Sequence, residues 1–254
     1  MNRPSVRRLR SALVALSLTA ATAGTAVAVA GPATAANVSC TTSTTLTVNS
    51  KATTPQIVSF GTYLDVQASV SASCTGGSPN YVEAGTLWLQ KRTSSTGAWT
   101  TIAKETGFNA ESASKYGTNV ATRTTQFRAV YYGGAYNNGA GSDTFANSSS
   151  KYILVGMIRA SKDLAWHSVR GGIHGSFKFS PAASIKGLKA EVEHKSGTHW
   201  KILRKVKANS KGIVTTTLPL GKNRIVVPTA RGFVGSYHTV SVTRARATHR
   251  AVVR

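Results

Sequence analysis

Residues 62–73 (TYLDVQASVSAS) alternate strictly: Leu64, Val66, Ala68, Val70 and Ala72 fall on one side, and Asp65, Gln67, Ser69 and Ser71 on the other. A period of two residues is that of a strand with one buried face. Residues 85–92, 98–103, 125–132 and 142–148 carry the same short apolar alternation between turns rich in Gly, Ser and Asn, and predict further strands. In the second half, residues 174–181, 187–195, 199–206, 212–219, 223–228 and 235–243 predict another series. Helix-period segments are nearly absent beyond the first 35 residues, where Thr, Ser, Val, Gly and Tyr dominate. Short strands at regular spacing predict an all-β protein built as sandwiches.

The two series match each other. Gly85 precedes Trp99 by 14 residues and Gly187 precedes Trp200 by 13, and in each half the Trp strand is followed by an Arg-bearing strand, with Arg128 or Arg224. Self-similarity at a period of ~100 residues indicates tandem copies of one domain. The polar run Ser148–Ser149–Ser150 is the expected boundary. Within the second copy, a three-residue loop over Lys195, Ser196 and Gly197 would put Gly197 at the left-handed position such loops need. That register sets Val192 opposite Trp200 and Ala190 opposite Ile202 on an apolar face, with Glu193 opposite His199 and Glu191 opposite Lys201 on the other. The recurrence of Trp99 and Trp200 at matching positions favours core packing for both. Trp88 alternates away from Leu87 and Leu89 and faces the open side.

The motifs LWLQKR with GAWTTIA, and AEVEHK with HWKIL, resemble the bacterial immunoglobulin-like repeats of secreted Gram-positive proteins. The resemblance spans about residues 38–148 and 151–243. It implies two tandem immunoglobulin-like β-sandwich domains acting as spacers, adhesive modules or wall-associated repeats, and it implies no catalytic residues. The first copy departs from the pattern through longer stretches at residues 74–82 and 104–124.

The N-terminus adds a compartment. Arg3, Arg7, Arg8 and Arg10 precede an uncharged run over residues 11–30, and Ala33-Thr34-Ala35 follows as a small-x-small cleavage pattern. Charged start, apolar middle and small-residue end make a secretory signal peptide over residues 1–35. No later apolar run is long enough to span a bilayer, so no transmembrane segment is expected in the mature chain. The expected organisation is a signal peptide (1–35), a first domain (36–150), a basic second domain (151–243) and a basic tail (244–254). Outside the cytoplasm Cys40 and Cys74, the sole cysteines, are expected to pair as a disulfide.

Charge separates the two copies. The 254 residues carry a formal net charge of +23. Residues 37–150 hold seven Lys and Arg against five Asp and Glu, a net +2, whereas residues 151–254 hold 20 against three, a net +17. Such a surface draws polyanions. Lys201, Arg204, Lys205, Lys207 and Lys211 are the densest group, and Lys186, Lys189 and Lys195 flank the neighbouring strand. An anionic polymer of the cell envelope is the expected partner. No aromatic platform other than Trp200 is interleaved with these cations, which argues against specific single-stranded nucleic acid.

Catalytic patterns are weak. There is no G-x-S-x-G elbow and no H-E-x-x-H helix. Glu105 and Glu111 are a carboxylate pair without a companion motif. His194 and His199 bracket one turn with Glu193 as a third metal donor, but surface histidines in a basic domain are the plainer account. The expectation is a secreted, non-catalytic binding protein with no cofactor and no metal. The alternatives are a structural or adhesive module without a ligand and, less supported, a secreted hydrolase.

Overall fold

A computed structural model describes residues 37–75, 81–107, 110, 112–120, 122–137 and 141–244. The expected signal peptide, Glu111, His249 and the tail arginines Arg246, Arg250 and Arg254 lie outside them.

Strand follows strand. The first series is β1 (Val38–Val48), β2 (Gln56–Ser59), β3 (Tyr63–Cys74), β4 (Thr86–Arg92), β5 (Thr100–Thr106), β6 (Ser112–Val120), β7 (Thr125–Tyr132), β8 (Ala135–Asn137), β9 (Ser142–Phe145), β10 (Ser148–Ser149) and β11 (Ile153–Ile158). One sheet runs β6-β3-β1-β9-β8, and the other runs β2-β11-β7-β4-β5 with β10 also paired to β7. The second series is β12 (Ala160–Val169), β13 (Gly172–Ser180), the short helix α1 (Ala182–Ile185), β14 (Lys189–Ser196), β15 (His199–Lys207), β16 (Ile213–Pro219), β17 (Gly221–Val227) and β18 (Ser236–Val242). It forms a sheet β12-β13-β16 and a sheet β15-β14-β17-β18. The chain is therefore all-β, as its alternation requires. Among the described residues no helix is long and apolar enough to cross a membrane.

Each pair of sheets supplies one core. Leu46, Val48, Leu64, Val66 and Ala68 from the first sheet meet Leu87, Leu89, Phe127, Ala129 and Val155 from the second in a single buried cluster. The five apolar positions read from residues 62–73 are all buried there. The second cluster joins Ile173, Phe177, Phe179, Val214 and Leu218 to Ala190, Val192, Ile225, Val227, Val240 and Val242. Burying aliphatic and aromatic side chains in this way supplies about 1.5–3 kcal/mol each.

The expected boundary at Ser148–Ser150 is displaced. Ser148 and Ser149 are paired to β7, and the Ser148 hydroxyl bonds Thr42 and Thr44. β11 then pairs antiparallel with β7 and parallel with β2, which buries Ile153, Val155 and Met157 in the first cluster. An apolar run of this kind completes the sheet that already holds β7. The change of core falls at Arg159, the single residue between β11 and β12. Phe233, after β17, returns to pack in the first cluster against Phe60, with ring centroids 6.2 Å apart.

Cys40 and Cys74 are joined. They are direct partners in the β1–β3 register with Cα atoms 4.0 Å apart, so the bridge links neighbours in one sheet. Closing the loop between them is worth roughly 3–4 kcal/mol by chain entropy. Glycine is required where β4 begins: Gly85 has φ +92°, and a Cβ there would lie 2.5 Å from the Tyr131 hydroxyl. Gly187, its sequence counterpart, also has positive φ, at +77°.

Candidate functional site

The basic residues of the second half gather on the β14–β15 hairpin, whose register differs from the sequence expectation. Ser196 pairs with His199, leaving Gly197 and Thr198 as a two-residue loop. Gly197 takes φ +59° at the first central position, which is the place a tight hairpin turn reserves for glycine. Lys195 therefore faces Trp200, Glu193 faces Ile202, and after a bulge Val192 faces Arg204 and Glu191 faces Lys205. The expected partners Val192 with Trp200, Ala190 with Ile202, Glu193 with His199 and Glu191 with Lys201 do not form. The carboxylates find other cations. Glu191 meets Lys205 at 2.8 Å, and Glu193 accepts from Arg224 Nε on the other neighbouring strand.

Trp200 accordingly leaves the core face. It is half-buried on the outer face of the sheet, with the Arg224 guanidinium 4.3 Å from its ring centroid. Trp99 does the same in the first half, held between Arg92 at 4.4 Å and Arg128 at 4.3 Å. Neither tryptophan is a core residue. Their recurrence marks a repeated cation–π stack, which contributes about 0.5–2 kcal/mol at such sites. The supporting polar residue recurs too: Arg128 Nε donates to Gln90 Oε1 at 2.8 Å, as Arg224 Nε donates to Glu193. Each polar residue directly follows a bulge, at Leu89/Gln90 and at Val192/Glu193. Trp88 lies on the same outer face of the first half, edge-on to Tyr132 at 5.0 Å.

All eight expected polyanion ligands, Lys186, Lys189, Lys195, Lys201, Arg204, Lys205, Lys207 and Lys211, are solvent-exposed. Lys201, Arg204, Lys205 and Lys207 lie on β15, an outermost strand of its sheet. With Trp200 and Ile202 on the outer face, strict alternation would keep Arg204 outward; the bulge sets it opposite the buried Val192, and the open sheet edge keeps it in solvent. Ile202 and Leu203 between them are 48% and 38% exposed, so this strand has no buried apolar row to hold it against a second layer. Lys189 stands directly opposite Lys207, a like-charge pairing that costs stability unless an anion intervenes. Of the eight, Lys205 has the ion pair with Glu191; among the described residues the other salt bridges involve Arg224 and His238.

Lys186 and Lys207 meet at one end of the hairpin. With Gly187, Asn209, Ser210 and Arg231 they line a cleft of about 630 Å³ that no acidic residue enters among the described residues. Arg231 was not legible as a site residue, being an isolated cation in a loop. It holds φ +55°, unusual outside glycine, and its Nη1 donates to Ala183 O at 2.6 Å. Behind it lies Arg159, 2% exposed. Arg159 donates to Ser184 Oγ, Ser184 O, Pro228 O and Ala230 O at 2.9–3.2 Å, all neutral acceptors. Burial, and then the positive charge of Arg231, hold its pKa below the ordinary arginine value.

His194 and His199 separate. His194 Nδ1 lies 3.1 Å from Asn223 Oδ1 and pairs in register with Lys201, away from His199. Among the described residues no group of three His, Cys, Asp or Glu is placed to hold a metal. His238 bridges Ser161 Oγ at 2.9 Å and Asp163 Oδ1 at 2.8 Å, and its ring packs on Phe177. This tie between β12 and β18 joins the two sheets of the second half, and no sequence motif announced it.

No family model matches the chain, and no curated protein matches it. The solved structure of the Bacillus anthracis TIE protein aligns with 78% of this chain and 38% of its own length, at 12% identity and a TM-score of 0.25. A similarity of that size bears on neither fold nor function.

Proposed function

We propose that the chain is a secreted, non-catalytic binding protein of two tandem immunoglobulin-like sandwiches, whose basic second half associates with an anionic polymer of the cell envelope. The observation that carries this reading is the placement of eight exposed Lys and Arg on and around one hairpin, with Lys205 the one of them paired to a carboxylate among the described residues. Fixed cations on a strand edge attract a polyanion over about a Debye length, ~8 Å at physiological salt. The repeated Arg–Trp–Gln/Glu arrangement supports the tandem-domain part, since two copies of one β-domain would keep the same outer-face stack. A basic edge also resists strand-to-strand aggregation, so charge here serves two ends at once.

The test is retention of the secreted protein on an immobilised anionic polymer across a salt gradient. The parent is expected to bind at low salt and elute at moderate salt. Replacing Lys201, Arg204, Lys205, Lys207 and Lys211 together with Glu is expected to abolish retention with little loss of fold, because exposed substitutions cost within about 0.5 kcal/mol each. Retention of the variant with the parent's salt slope would count against the reading.

A structural or adhesive module without a ligand is the second reading. Arg159 favours it, because a buried arginine at the crossing, held by Ser184, Pro228 and Ala230 of the second half, suits a rigid spacer.

A further inference from the structure

The cleft beside Lys186, Lys207 and Arg231 differs from the rest of the basic surface. Elsewhere on the hairpin the cations stand exposed on an outermost strand. Here Lys186, Lys207 and Arg231 line one concavity, with Asn209 and Ser210 beside them and no carboxylate among the described residues. The buried Arg159 adds a further positive charge behind Arg231, again with no carboxylate among its hydrogen-bond partners. Arg231 holds an unfavourable left-handed backbone conformation, and strain of this kind gathers where a side chain must be aimed. A cluster of cations lacking internal compensation is stabilised by an external anion.

We infer that the cleft between the end of α1 and the β15–β16 turn is a discrete site for the phosphate-ester groups of the polymer, with Arg231, Lys186 and Lys207 as its ligands. The inference rests on the polyanion reading above and names the chemistry of that ligand. Three cations lining one cleft suit the several oxygens of a phosphate better than the two coplanar oxygens of a carboxylate. Arginine adds a planar fork suited to phosphate. The cleft is open to solvent, so a phosphate can enter it together with its ester substituents.

The test uses the whole chain with three probes: inorganic phosphate, acetate, and poly(glycerol phosphate). Amide resonances of Gly187, Asn209 and Ser210 report the cleft, and polymer retention reports the wider surface. Phosphate is expected to shift those resonances saturably, and acetate much less. Arg231→Gly is the informative variant, because glycine accepts φ +55° without strain. It should keep or raise thermal stability while weakening phosphate binding about tenfold, the scale of one charge-assisted hydrogen bond. Lys186→Gln should weaken it similarly, whereas Lys195→Gln, at the far end of the hairpin, should leave it unchanged. Equal losses from Lys186→Gln and Lys195→Gln, or equal shifts with acetate, would overturn the phosphate site even if polymer retention remained. Saturable phosphate binding in the cleft without polymer retention would keep the site and sink the polymer reading.

Discussion

Tyr131 is fully buried, donates its hydroxyl to Ala84 O, and has its pKa pushed up by burial from 10.0 to about 12. The folded protein thus keeps a proton that the unfolded chain releases above about pH 10. The stability this contributes is complete below pH 10 and is lost as pH rises towards 12, by up to about 2–3 kcal/mol over that window. Denaturant unfolding between pH 8 and pH 12 should show the decline. Tyr131→Phe should remove this part of the slope while costing about 1–2 kcal/mol at neutral pH, from the carbonyl left unpaired. Identical alkaline slopes in parent and variant would sink the assignment. The alternation gives Tyr131 the buried side over its exposed neighbour Tyr132, but the hydroxyl's partner comes from a loop 47 residues away. Arg231 was invisible for the same reason, since its value depends on Lys186 and Lys207, which the fold brings beside it.

At the scale of elements, alternation located most strands because it reports burial, and burial is what a paired strand needs. β1, with its run of Thr and Ser, and β2, β6, β8, β11 and β12 escaped that pattern. β1 pairs on both sides, so its threonines serve as sheet surface and Thr41 donates to Ser73 O on neighbouring β3. The β14–β15 register was misread because a two-strand argument assigned both glutamates within the hairpin. It missed β17, whose Arg224 competes for Glu193 and draws Trp200 to the outer face. A charge swap tests the register directly. Glu191→Lys should lower stability by about 0.5–1 kcal/mol, the upper range for an exposed pair. Adding Lys205→Glu should recover that loss and adding Lys201→Glu should not. Recovery by Lys201→Glu would restore the three-residue loop as the true turn.

Across the whole molecule, sequence showed two series of strands and their unequal charge, but not how firmly the halves join. Equal spacing suggested beads with a serine linker, whereas the chain crosses between cores in one residue. Several contacts then lock that crossing. Arg159 is held by the 228–230 segment and Ser184, Phe233 enters the first core, and backbone bonds run from Thr124 N to Gly232 O at 2.7 Å and from Val234 N to Met157 O at 2.9 Å. Loosening the second half therefore strips the first of a buried aromatic, and the two cores should unfold together in one calorimetric transition. Phe233→Ala should destabilise by about 3–5 kcal/mol through a cavity in the first core. Because residue 233 lies in the second half of the chain, the loss should appear as a lower temperature for the same single transition. Two separated transitions in the parent, or a Phe233→Ala variant in which one half melts at its original temperature, would show that the halves are independent beads after all.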